Sequence, residues 1–165
     1  MRSRYIGARK LARLQAAMKP EEWLPFEVSL STGLRIGDVV SLSPVNVYGD
    51  HLLFCARKTG KIGYAPISPE LARALIKSAR GGRWCFPGRR PGKHLTRQAC
   101  WARIKRACRA CGAQRKGVSP HSMRKVFAVR SFARTGDLTE VQNLLQHRYI
   151  GDTALYALSD KLKGK

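Results

Sequence analysis

Thirty-two lysines and arginines stand against ten aspartates and glutamates, and the excess runs from Arg2 to Lys165 instead of gathering in a tail. Whatever core this chain forms has to carry a formal charge of +22 at pH 7 around it. The core itself is within reach. An apolar share of 44% is that of a globular protein, and 165 residues suit one domain better than two. A folded domain this basic is expected to hold a polyanion, because each phosphate that meets a lysine or arginine releases counterions. Charge alone does not separate DNA from RNA or from an acidic membrane surface.

No apolar run approaches the length of a membrane span, and the opening MRSRYIGARK lacks the apolar stretch of a secretory signal. Cys55, Cys85, Cys100, Cys108 and Cys111 make an odd set, which argues against a secreted disulfide scaffold. Cys108 and Cys111 form one CxxC pair with no second pair to complete a zinc site. One helical turn apart, they read as small half-buried side chains. The expectation is an intracellular protein with reduced thiols.

Periodicity predicts a mostly helical chain with a small sheet. Ile6, Leu11, Leu14 and Met18 recur at helical spacing within Tyr5–Met18. Pro20, Glu21 and Glu22 suit the first turn of a second helix, which Ser31-Thr32-Gly33 ends, and a short helix follows across Asp38–Leu42. His51–Ala56 and Ile62–Ile67 read as strands around Arg57-Lys58-Thr59-Gly60-Lys61, with Val45–Tyr48 as a third. Further helix starts stand at Ser68-Pro69-Glu70, Thr96 and Ser119-Pro120. Asp137-Leu138-Thr139-Glu140 reads as a capping box, and a last short helix spans Asp152–Leu158. The stretch Trp84–His94, with its prolines and glycines, is a loop.

The candidate chemistry is scattered. His121-Ser122-Met123-Arg124 puts an imidazole and a guanidinium on one helix face, where the fork can take two phosphate oxygens and the histidine can exchange a proton. Arg35 sits at the break after Gly33, with Asp38 one turn on. Lys58 occupies a turn from which an ammonium can enter a groove. Thr59-Gly60-Lys61 is not a nucleotide loop, since Cys55 and Ile62 stand where that motif needs glycine and Ser or Thr. His147 and Tyr156 come last, and a neutral tyrosine needs cationic neighbours to act as a nucleophile. Each of these taken alone reads more simply as a solvated or capping residue.

Taken together and in this order, they resemble the tyrosine recombinase (phage integrase) family. The resemblance runs from about Pro20 to Tyr156 and concerns the family's catalytic domain. It implies an α+β, mainly α fold: a helical bundle with a small three-stranded antiparallel sheet. It implies that Tyr156 attacks a scissile DNA phosphate and forms a 3′-phosphotyrosyl link. Arg35 and Arg124 would bind the non-bridging oxygens, and Lys58 would protonate the leaving 5′ oxygen. His121 would assist proton transfer at the tyrosine, and His147 would bond a phosphate oxygen. The covalent link stores the phosphodiester energy, so no metal, ATP or other cofactor is implied. The implied partner is double-stranded DNA, bound by a tetramer of recombinase subunits on two sites, a monomer being allowed without DNA; the implied location is on DNA in the cytoplasm, with a bacterial, archaeal or viral origin expected.

The same resemblance sets out departures. The expectation is that residues 1–165 are the catalytic domain without the family's N-terminal core-binding domain, with 1–19 a basic helix or linker and 157–165 a short tail. Gln146 stands where the family places a glycine before the histidine. Tyr149 is a rival nucleophile near His147, ranked below Tyr156 on spacing. The alternatives are a non-catalytic DNA-binding relative and a type IB topoisomerase-like nicking-closing enzyme.

Overall fold

The first helix is shorter than its apolar spacing predicts. In the computed structural model, which describes residues 3–57, 60–112, 117–147 and 149–158, α1 covers Ala8–Ala16 with Gly7 at its N-cap. Glycine is disfavoured inside helices and tolerated at caps. The residues before it are drawn into tertiary contacts instead: the Arg4 N–H donates to Gly117 O at 2.7 Å, and Ile6 is buried.

Helix α2, Pro20–Thr32, keeps Pro20 in its first turn and runs through Pro25, which removes one backbone bond without ending the helix. Trp23, Leu24, Phe26 and Val28 make it a central core element. Gly33 stops it in the left-handed conformation at φ 71. A Cβ there would come within 2.5 Å of Phe127, so both the turn and the packing require glycine. The short α3, Ile36–Val39, follows at once.

A 3-10 turn at Pro44–Asn46 leads into an antiparallel sheet ordered β1-β2-β3: Val47–Tyr48, His51–Cys55 and Ile62–Pro66. Leu52, Phe54 and Ala65 face the helices, and the alternate residues face outward. Ser68 caps α4, Pro69–Ala79, by accepting from the Leu71 N–H at 3.2 Å. Arg80 closes that helix at φ 51, a left-handed conformation that a Cβ makes costly. Arg80→Gly should raise unfolding stability by about 0.5–1 kcal/mol, the left-handed penalty less the chain entropy that glycine adds to the unfolded state. Urea denaturation reads this directly, and a loss of stability would refute the strain.

Thr96 caps α5, Arg97–Ala110, accepting from the Ala99 N–H at 3.1 Å. Helices α6, His121–Thr135, α7, Leu138–Leu145, and α8, Ile150–Ala157, complete the chain. The capping box before α7 forms only in part. Asp137 accepts from the Thr139 N–H at 2.7 Å, but the reciprocal bond is replaced. The Asp137 N–H donates to Thr135 Oγ1 at 3.2 Å, and Glu140 pairs with Arg134 at 3.3 Å. In so basic a chain, a nearby guanidinium outcompetes a backbone amide for the carboxylate.

The apolar interior falls into two clusters. The larger joins α1 to α5, the sheet and one face of α6; the smaller holds Ala128, Val141, Leu145 and Ala157. Helix α6 contributes to both, through Met123 and Val126 to the first and Ala128 to the second. Cys85 and Cys100 lie in the larger cluster, where burial pushes each thiol up to about 11 and leaves it unreactive. No helix among the described residues is long and apolar enough to cross a membrane.

Candidate active site

Helix α6 opens with the HxxR pair. Ser122 and Met123 are fully buried and fix the first turn, so His121 stands on its open side and Arg124 points inward. Arg124 is only 3% exposed. Its guanidinium donates to Gly33 O at the end of α2 and to Leu145 O at the end of α7. Both acceptors sit where helices run out of amide partners and carry the negative end of the helix dipole. One side chain therefore pins the small C-terminal cluster to the main body.

Burial pushes the Arg124 guanidinium down to about 10, with Arg35 adding to the fall and Tyr156 and Asp38 opposing it. It stays charged at neutral pH. Arg35 is the half-buried N-cap of α3, next door in sequence to the Gly33 turn that Arg124 grips. Asp38 is buried and accepts from the Arg57 N–H at 3.2 Å, so the base of the β2–β3 hairpin is tied to the helix that Arg35 opens. Lys58, the predicted hairpin lysine, lies outside the described residues.

Desolvation holds the His121 imidazole below its ordinary pKa of 6.5, and the cations Arg124, Arg35, Arg97 and Lys125 lower it further. The folded state thus binds the proton less readily than the unfolded chain. The stability this contributes is present above the ordinary value and is lost as pH falls through the folded one. An NMR titration should place the His121 midpoint below 6.5, and a midpoint above it would contradict the cation cluster.

Gln146 ends α7 at φ 50 and ψ 43, the left-handed geometry a glycine would supply. The departure noted in the sequence therefore leaves the backbone path intact. His147 follows, its N–H donating to Gln142 O at 3.1 Å and its Nδ1 lying 3.0 Å from the buried Thr153 hydroxyl. Its ring meets Tyr156 edge to face, with centroids 5.2 Å apart at 81°. The Lys125 ammonium lies 5.0 Å from the centre of the Tyr156 ring. Tyr149 instead precedes α8 with 62% of its surface exposed.

The structure thus brings Arg35, His121, Arg124, His147 and Tyr156 into one neighbourhood, drawn from four separate segments. The sequence reading missed two cations there. Arg97 opens α5 and passes over Gly37, where a Cβ would be 3.1 Å from its Cδ; Lys125 sits beside Tyr156. Only the Thr96 cap and the adjacent HxxR pair could have pointed to them, and neither signal is specific. Among the described residues, no group of His, Cys, Asp or Glu is gathered to hold a metal ion. Chemically the arrangement suits an anion held by guanidinium and imidazole donors beside a phenol.

The description "Phage integrase family" belongs to the family model that matches residues 6–163. The chain belongs to the phage integrase family. Among its relatives in that family, a putative integrase/recombinase y4qK of Sinorhizobium fredii is 34% identical over 134 residues, covering 76% of this chain and 42% of that protein. The tyrosine recombinase XerD of Rhizobium meliloti is 31% identical over 139 residues, covering 79% of this chain and 44% of its own. The chain spans about half the length of the curated relatives it matches. The phage integrase fold is also met in solved structures. The catalytic domain of bacteriophage HP1 integrase superposes with a TM-score of 0.71 at 22% identity, covering 95% of this chain and 88% of that one. A lambda integrase dimer bound to a core site gives 0.80 at 20% identity, covering 100% of this chain and 51% of that one.

Proposed function

We propose that this chain carries the catalytic chemistry of a site-specific DNA recombinase, cutting and rejoining strands through a 3′-phosphotyrosyl intermediate. The observation that carries the reading is the Tyr156–His147 pair standing beside Arg124, whose other anchor is the turn leading to Arg35. The Tyr156 oxygen attacks the scissile phosphorus as its proton passes toward His121, whose imidazole is held below its ordinary pKa by desolvation and then by its cationic neighbours. The bond from phosphorus to the 5′ oxygen breaks, and Lys58 supplies the proton to that oxygen. Arg35 and Arg124 hold the non-bridging oxygens as charge builds on them. The Thr153 hydroxyl, 3.0 Å from Nδ1, holds the His147 ring in place, and Nε2 is the nitrogen left to donate to a phosphate oxygen when it carries the proton. Attack on the phosphotyrosine by the 5′-hydroxyl of a second strand reverses these steps and frees the tyrosine.

The partner is double-stranded DNA, drawn by the net charge of +22. Lambda integrase is known as a dimer on a core site and as a tetramer on a Holliday junction. By that likeness the working form here is a tetramer on two DNA sites, acting on DNA in the cytoplasm, with residues 1–165 as its catalytic part. The test is incubation with nicked duplexes of randomised sequence, cut so that the released fragment diffuses away. An SDS-stable protein–DNA adduct is expected, and none at any protein concentration would refute the reading.

A further inference from the structure

Gln146 holds a conformation that glycine adopts freely and that a residue with a Cβ adopts at a cost in free energy. The Gln146 side chain reaches β3. A Cβ built on Gly63 would lie 2.4 Å from Gln146 Nε2 and 2.9 Å from Phe54 Cζ. The end of the glutamine therefore fills the space above Gly63 that any other residue's side chain would take, with the Phe54 ring beside it. Gly63 pairs with Phe54 across the sheet, on the strand that returns from the hairpin tip. Gly63 carries no positive φ, so a Cβ there raises only a question of room, which the end of Gln146 and the Phe54 ring would have to yield.

Beyond the core packing of Leu52, Phe54 and Ala65, contacts of polar side chains among the described residues tie the hairpin to the site at both ends. At its outgoing end, Asp38 takes the Arg57 N–H and ties it to the helix that begins with Arg35. At its returning end, Gln146 rests on Gly63 and ties it to the segment that continues directly into His147. We infer that Gln146 is a positioning residue, clasping the returning hairpin strand to the segment that carries His147 and so fixing that segment beside the phosphate bound by Arg35, Arg124 and His147. This rests on the recombinase reading above. It assigns to the glutamine no contact with DNA and no part in proton transfer.

The experiment uses the full chain and the nicked duplexes of randomised sequence. Gln146→Gly keeps the left-handed backbone and removes the clasp. It should slow single-turnover adduct formation by about tenfold or more, with DNA affinity unchanged and thermal stability equal or higher. Hydrogen exchange at Ala56 and Gly60, whose amides bond within the hairpin base at 2.8 Å each, should quicken. Gln146→Met keeps the reach of the side chain and should restore most of the rate. Gly63→Ala should slow the parent protein but add little to Gln146→Gly, because the two changes break one contact. Parent-like adduct formation in Gln146→Gly overturns the inference, and so does a slower reaction with unaltered hairpin exchange. If the parent itself forms no adduct, the recombinase reading falls, and the exchange rates alone decide whether the clasp exists.

Discussion

Tyr156→Phe is expected to abolish the SDS-stable DNA adduct, a loss of about 10³-fold or more, while DNA affinity stays nearly unchanged. The change removes one oxygen. The ring keeps its edge-to-face contact with His147 and its place against the small cluster of Val141, Leu145 and Ala157, so the fold has no reason to respond. Binding depends on cations spread over the molecule, and none of them is altered. Adduct surviving in this variant would move the nucleophile elsewhere, with Tyr149 the first to be tried.

Arg124→Ala is expected to do two things at once. Cleavage should slow by about 10²–10³-fold, the usual effect of removing a donor that meets charge developing in the transition state. Stability should also fall, by about 3 kcal/mol or more, because Gly33 O and Leu145 O lose their partner in a buried setting. The second effect follows from the structure, since a residue 3% exposed that ties two helix ends cannot be a pure phosphate anchor. Urea unfolding and single-turnover capture, run at a temperature where both proteins are folded, separate the effects. Arg124→Lys keeps a charge but loses the fork, so it should recover part of the stability and little of the rate. Unchanged stability in Arg124→Ala would contradict the buried geometry, and equal losses in binding and cleavage would reduce the residue to an anchor.

Much of this was legible in the chain. Gly33, the Ser68 and Thr96 caps and the alternation in His51–Cys55 are local signals, and local physics decides them. HxxR was legible for the same reason, because residues three apart on a helix share a face whatever packs around them. The staple made by Arg124 was not. Its acceptors are backbone carbonyls at the ends of two distant helices, and carbonyls leave no trace in residue identity. The left-handed path at Gln146 was obscured by the residue itself, since what supports it lies across the fold at Gly63. Arg97 and Lys125 were lost among many other cations, and only tertiary proximity to His121 distinguishes them. The late start of α1 and the diverted Glu140 show tertiary partners overriding local preference.

The most direct measurement is to trap the adduct, digest it and locate the nucleotide on the peptide. Trypsin should release Tyr149–Lys161, which holds both Tyr149 and Tyr156, so fragment ions between them are needed to assign the modified oxygen. The nucleotide is expected on Tyr156. Its presence on Tyr149, or on any residue outside that peptide, would contradict a site in which Arg35, His121, Arg124 and His147 serve the Tyr156 phenol.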